Sequence, residues 1–218
     1  MTGGNISQMA DELAKATTKF IYPALRLEGF RRAGKRDLIR VEKGVAQRLY
    51  FQLDAWGSRD FCVTVCANLI AGNESVTLQP GFRLRCENGA DLWLPSRSVD
   101  EAERSANLTL AAILATALPY FEKIRTLQGY SALLAEERWG SAHHLNFQQG
   151  LTAALLGDIA AARDFLTKAI GLYETDGRDW CAAYIAKSIE LSDALAAGSA
   201  VGLVGAWEQA NEKAHGIR

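Results

Sequence analysis

The residues from which a metal centre or a nucleophile would be built are few: His143, His144 and His215, and Cys62, Cys66, Cys86 and Cys181. Neighbours on a helix point about 100° apart, so His143 and His144 do not chelate one metal as an i, i+4 pair does. No two cysteines form Cys-x-x-Cys, and no histidine lies near any of them in sequence. Cys62, Cys66 and Cys86 fall in strand-like runs, where cysteine acts as a small buried hydrophobe. There is no Gly-x-Ser-x-Gly elbow, and no Gly-rich loop ends in Lys-Ser or Lys-Thr. The run Gly198 to Gly202 lacks both the strand and the lysine and reads as a helix–helix connection. Glu136-Glu137 and Glu101 with Glu103 read as solvated helix faces. The expectation is no metal and no cofactor. An enzyme assembled from Asp54, Glu87 and Arg85 ranks last, and would need a pocket that raises a carboxylate pKa.

Recognition chemistry is better represented. Strand-like alternation places Arg48, Tyr50, Gln52, Asp54, Trp56, Thr64, Asn68, Arg83, Arg85 and Trp93 on the polar side of a sheet. Trp, Tyr and Arg dominate interface hot spots, and Tyr50, Gln52, Arg83, Arg85 and Trp93 are the binding candidates. The alternative is that the C-terminal helices cover this side and bury Trp56 and Trp93. A second candidate is charge: Arg26 to Arg48 holds eight basic residues against three acidic ones. Arg31, Arg32 and Arg36, with Lys35 and Tyr50, would suit single-stranded nucleic acid. The alternative there is a charged hairpin edge that guards against aggregation.

The elements that position these residues begin with a helix from Ile6 to Glu28. It is capped by Asn5 and carries Ile6, Met9, Leu13, Ala16 and Phe20 on one face. Pro23 predicts a kink and Gly29 a stop. Strands follow at Arg36–Lys43, Val45–Trp56, Phe61–Ile70 and Phe82–Glu87, with a short fifth at Asp91–Leu94. Their turns are Lys43-Gly44 and Asn88-Gly89. Val45, Leu49, Phe51 and Leu53 share the core side with Phe61, Val63, Val65 and Leu69. Ser98 and Glu101 form a capping box for a helix whose apolar face is Val99, Ala102, Ala106, Leu110, Ile113 and Ala117. Pro119 predicts its kink or end. Helices are then expected at Tyr130–Arg138, Ala142–Leu156, Ile159–Tyr173, Arg178–Ala197 and Leu203–Ala214. The fold class is α+β: an N-terminal helix, an antiparallel sheet of four to five strands, a covering helix, and an all-helical C-terminal part. A division near residue 127 gives 1–127 and 128–218.

Composition fits a globular chain. Among 218 residues, 24 Lys and Arg against 25 Asp and Glu leave a net charge of -1, so no overall basic excess favours nucleic acid. No apolar run is long enough for a bilayer span, the richest being Leu108 to Leu118, and the start shows no signal-peptide pattern. A cytoplasmic bacterial protein is the expectation.

Residues 6 to 125 resemble the bacterial family catalogued as domain of unknown function 4304. The resemblance rests on Leu25, Gly29-Phe30-Arg31, Arg40, Tyr50-Phe51-Gln52, Phe61-Cys62-Val63, Arg83, Trp93 and Ala117-Leu118-Pro119-Tyr120-Phe121. It implies a helix–sheet–helix fold and partner binding, and supplies no catalytic residue. Ala142 to Tyr173 resembles one tetratricopeptide unit through Gly150, Gly157, Ala162, Leu166 and Ala169. It departs at Asn146, Gln149 and Ala153, and a plain helical hairpin is expected over a peptide-binding array. The function expected is non-enzymatic binding of another protein, toxin immunity being one concrete form. Arg178 to Ala214 suits a homo-oligomer interface as readily as a core, and no membrane is implied.

Overall fold

The computed structural model describes residues 12–72, 80–136 and 141–217. Asn5, Ile6, Met9, Glu137, Arg138 and Gly140 lie outside the described residues. The architecture is α+β with an antiparallel open sheet. Helix α1 covers residues 12–27, with a π-helical turn at Thr17–Ile21 before its last segment Tyr22–Leu27. The strands are β1 Arg31–Arg32, β2 Asp37–Glu42, β3 Val45–Leu53, β4 Asp60–Leu69, β5 Gly81–Arg83 and β6 Leu94–Pro95. Helix α2 runs from Val99–Ala112 through a π turn, Ile113–Ala117, to Leu118–Lys123. Then come α3 Leu127–Glu136, α4 Ala142–Leu156, α5 Ile159–Asp176, α6 Cys181–Ala196 and α7 Ala200–Ala214. The sheet order is β1-β2-β3-β4-β5, with β6 also on β4.

Two compact units divide the chain: Met1–Arg40, Gln47–Cys66 and Gly81–Glu122, and Val41–Ala46, Ala67–Pro80 and Lys123–Arg218. The β2–β3 turn and the end of β4 thus group with the C-terminal helices. The continuous C-terminal stretch of that second unit begins at Lys123.

In the first unit, both helix prolines are absorbed in the same way. Pro23 and Pro119 each follow a π turn by two positions. A proline ring clashes with the carbonyl four residues back and donates no hydrogen bond. Widening the preceding turn by one residue relieves both problems without ending the helix. The extra residue also rotates the helix face. Leu13 and Ala16 are buried as expected, but Ile21 and Leu25 then take over the core side, and Phe20 is left half-buried. Phe30 packs against Phe121 at 5.8 Å, and Phe51 against Phe61 at 6.3 Å. The Arg40 guanidinium, 4.9 Å from the Phe30 ring, donates to Gln47 Oε1 at 2.7 Å and to the Glu28 carbonyl at 2.9 Å. Gln47 Nε2 in turn donates to the Phe121 carbonyl at 3.0 Å. Arg40 and Gln47 thus bind each other and two main-chain carbonyls, as their burial demands.

Several local expectations hold and some shift. Lys43 (φ 49°) and Gly44 (φ 81°) form the two-residue turn with both φ positive, the geometry that matches strand twist. Ser98 Oγ accepts the Glu101 amide at 3.2 Å, but Glu101 Oε2 reaches back to the Arg97 amide at 3.0 Å, one residue earlier than a reciprocal box. Val99, expected on the apolar face, is 51% exposed because it occupies the first helical turn. The expected strand Phe82–Glu87 is shorter: β5 ends at Arg83, and only a bridge from Arg85 to Asp91 continues it. Cys86 therefore falls in a turn and is exposed, unlike buried Cys62, Cys66 and Cys181.

Within the second unit, helix side chains bind the segment that follows β4. Asn211 Nδ2 donates to the carbonyls of Ile70 (2.8 Å) and Ala71 (3.2 Å), and Lys187 Nζ to those of Ala71 (3.2 Å) and Gly72 (3.3 Å). These carbonyls have left the strand ladder and would otherwise be unsatisfied. Gly150 stands where α4 crosses α5; a Cβ there would lie 2.8 Å from Leu166 Cγ. Gly157 closes α4 in the left-handed region, and Asp158 Oδ1 caps α5 through the Ala161 amide at 3.0 Å. Gln149, a departure from the tetratricopeptide pattern, donates to the Leu134 carbonyl at 3.1 Å instead of packing as an apolar side chain.

Candidate functional site

The β4–β5 register pairs Thr64 with Arg83, and β6 pairs Phe61 with Leu94, which brings Trp93 alongside Cys62. Paired residues share a sheet face. Arg83 Nη1 donates to Asp91 Oδ2 at 2.9 Å, and Nη2 to Gln52 Oε1 at 3.3 Å. Its guanidinium carbon lies 5.7 Å from the Trp93 ring centroid. Arg83 is thus held by a carboxylate on one side, an amide on another, and an aromatic face. Its side chain is still 39% exposed, and Trp93 is 37% exposed. The Asp91 hydrogen bond raises the Arg83 pKa further, so the cation is permanent. Tyr50 lies half-buried on the same side of β3 as Gln52, and Arg85 is exposed in the following segment.

Other members of the polar side do different work. Arg48 is buried and pairs with Asp37 at 3.2 Å. Burial raises the Asp37 pKa while Arg48 opposes the rise. Cys66, fully buried beside this pair, has its thiol pushed up to about 12 by burial. It is inert as a nucleophile at neutral pH. Asn68 is 1% exposed and donates to the Leu69 carbonyl. Asp54 lies in the β3–β4 loop, where its carboxylate accepts the amides of Trp56 (3.1 Å), Ser58 (2.9 Å) and Arg59 (3.2 Å). Those bonds lower its pKa, the Ser58 amide most. Trp56 is 94% and Trp93 37% exposed, so the alternative in which both are buried does not hold.

The basic stretch separates in space. Arg40 and Arg48 are buried, at 6% exposure each, and paired with Glu122 and Asp37. Arg32 donates to Thr18 Oγ1 and lies 4.8 Å from the Tyr22 ring. Arg31 and Arg32 are exposed on the short edge strand β1, Lys35 is exposed, and Arg36 is half-buried with its carbonyl accepting the Phe51 amide at 2.9 Å. Period-2 alternation assigns a face but does not reveal which cations have a buried carboxylate opposite. That is why Asp91 and Asp37, the partners of Arg83 and Arg48, were missing from the sequence-derived set.

The two adjacent histidines are not surface residues. His143 is 9% exposed and His144 is fully buried. His144 stacks on Trp180 (5.2 Å, 10°), and its Nδ1 shares a 2.8 Å hydrogen bond with the Tyr173 hydroxyl. Tyr173 stacks on Tyr184 (5.3 Å, 12°). His143 Nε2 meets Ser141 Oγ at 2.5 Å and lies 3.9 Å from Asp176, which Arg178 grips through two bonds of 2.5 and 2.7 Å. The cluster is packed ring on ring, and among the described residues no group of three or more His, Cys, Asp or Glu is arranged to hold a metal. No helix among the described residues is long and apolar enough to cross a membrane.

No protein-family profile, no curated protein and no solved structure matches the chain. The resemblance to domain of unknown function 4304 therefore rests on the residues quoted for it.

Proposed function

We propose that this is a non-enzymatic binding protein whose contact surface is the open part of the polar sheet face and whose partner is another protein. One observation carries the reading: Arg83 is fixed by Asp91 and Gln52 against Trp93, yet over a third of both side chains faces solvent. An arginine whose rotamer is already set loses little entropy on binding, and Trp–Arg pairs supply large contact area with directional polar groups. Tyr50 and Gln52 extend the surface along β3, and Arg85 gives it a charged rim. Toxin immunity in a bacterial cytoplasm is one form such a role takes, supported by analogy of size and fold class alone. Nucleic-acid binding by the whole hairpin Arg31 to Arg48 is less well supported, because Arg40 and Arg48 are internal and Arg32 is engaged with Thr18 and Tyr22.

The test is affinity capture from bacterial lysate at low and high salt, comparing the native chain with an Arg83→Ala/Trp93→Ala variant that still melts cooperatively. The expected result is one protein retained at high salt by the native chain and reduced at least about tenfold by the double variant. Equal recovery by both chains overturns the assignment of the surface.

A further inference from the structure

The loop end of the first unit holds a second surface, independent of the Arg83–Trp93 face. Trp56 projects from the β3–β4 loop with 94% of its area exposed. The loop beneath it is fixed. Asp54 clamps three of its amides, and Gly57 (φ 79°) and Arg59 (φ 67°) set the turn. Arg97 Nε donates to the Ser58 carbonyl at 3.1 Å, and the Arg59 carbonyl accepts from Ser96 N at 2.9 Å and Ser96 Oγ at 2.8 Å. A tryptophan so exposed on a frame with this many backbone restraints is displayed, not left over from an incomplete core.

Cations from three segments lie at the same end of the sheet. The β1–β2 loop reaches the same end of the sheet, as the bond from the Phe51 amide to the Arg36 carbonyl requires, and it brings Lys35 and Arg36. The β3–β4 loop brings Arg59, and the segment before α2 brings Arg97. Lys35 and Arg36 make no ion pair among the described residues, while Arg97 is paired with Asp60 at 3.0 Å. The carboxylate nearest Trp56 in sequence, Asp54, is turned into the loop and spent on its amides. At 94% exposure both faces of the Trp56 ring are open, and the other loop residues are Asp54, Ala55, Gly57, Ser58 and Arg59, so no large apolar side chain adjoins it in the loop. A hot spot for protein needs an apolar surround to exclude water; a base needs only a ring face with cations for its phosphates.

We propose that this loop end binds single-stranded nucleic acid, with Trp56 as the stacking platform and Lys35, Arg36 and Arg59 on the phosphates. The net charge of -1 bears on long-range attraction and leaves the local patch intact.

The probe is an oligothymidylate of roughly twenty nucleotides, titrated while tryptophan fluorescence and the anisotropy of a dye on the oligonucleotide are read. Trp56 quenching is expected at about 50 mM salt, with about three phosphate contacts weakening binding roughly 20-fold by about 200 mM. Trp56→Ala should weaken binding about tenfold, and Trp56→Phe should retain most affinity while abolishing the quench. Lys35→Ala/Arg36→Ala should lower the salt slope by about 1.4. Absence of binding at low salt, equal affinity of Trp56→Ala, or tighter binding of a duplex of the same length each overturns the proposal. Because Trp56 touches no core, its variants keep the native melting temperature, and neither result depends on the Arg83–Trp93 reading.

Discussion

The two aromatic clusters of this protein use the same residue types to opposite ends. On the sheet face, Trp93 and Arg83 form a stack with one side against Asp91 and Gln52 and the other in solvent. In the helical unit, His144, Trp180, Tyr173 and Tyr184 close upon one another, and Arg178 lies over Trp180 at 4.8 Å as an outer cover. In the closed cluster each ring is the packing partner of the next. In the open one, over a third of Trp93 is left in solvent. Burial, and not residue identity, separates a structural aromatic from one available for recognition.

That contrast sets the largest expected effect. Tyr173→Ala removes a fully buried ring and the hydrogen bond to His144, and should destabilise the chain by about 3–5 kcal/mol. Trp93→Ala should cost less, about 1–2 kcal/mol, since over a third of its area is already in solvent. Urea denaturation of both variants decides the matter: comparable losses would mean that the sheet face is as much a core as the helical cluster.

The distinction was only half legible in the sequence. The strand faces, the Lys43-Gly44 turn, the Ser98 cap and the α4–α5 hairpin follow from local rules of period, turn chemistry and small residues at a crossing. The divergence of adjacent helix positions spoke against a metal shared by His143 and His144 but said nothing of their burial. What buries them is Tyr173, Trp180 and Tyr184, all about 30 or more residues away in sequence and invisible to a pattern of one helix. Phe20 illustrates a different limit. The 3,4 spacing placed it on the core face, and a π turn provoked by Pro23 moved that face to Ile21. The candidate surface was legible as a face, through Gln52, Arg83 and Trp93. Its anchoring carboxylate, Asp91, depends on how Asn88-Gly89 turns the chain back.

Two glycines in the same helical hairpin give a contrast of intermediate size. A Cβ on Gly150 would stand 2.8 Å from Leu166 Cγ and 3.3 Å from the Ala162 carbonyl, so Gly150→Ala should push α4 and α5 apart and destabilise by about 1–3 kcal/mol. Gly171, within α5, has no atom within 4 Å of its Cβ position. Gly171→Ala should therefore stabilise by up to about 1 kcal/mol through helix propensity alone. Melting temperatures that move in the same direction for both variants would refute the close crossing at Gly150.

The smallest expected effect concerns the edge of the closed cluster. Burial lowers the His143 pKa below its ordinary 6.5, with His144 and Arg178 adding to the fall and Asp176 opposing it. Ser141, Tyr173 and Trp180 also face the ring and carry no charge. In the unfolded chain His143 takes up a proton near its ordinary pKa, whereas in the folded chain it does so only at lower pH. Its contribution to stability is therefore complete above about pH 6.5 and is lost as pH falls through the lower folded value. Asp176 does not blur this window, because its bonds to Arg178 hold its own pKa at about 2. The denaturation midpoint should decline between about pH 7.5 and 5.5, and His143→Gln should flatten that decline. An identical decline in the variant would show that the proton responsible binds elsewhere, and that His143 is open enough to water to titrate alike in both states, which would bring the closed cluster nearer in character to the open one.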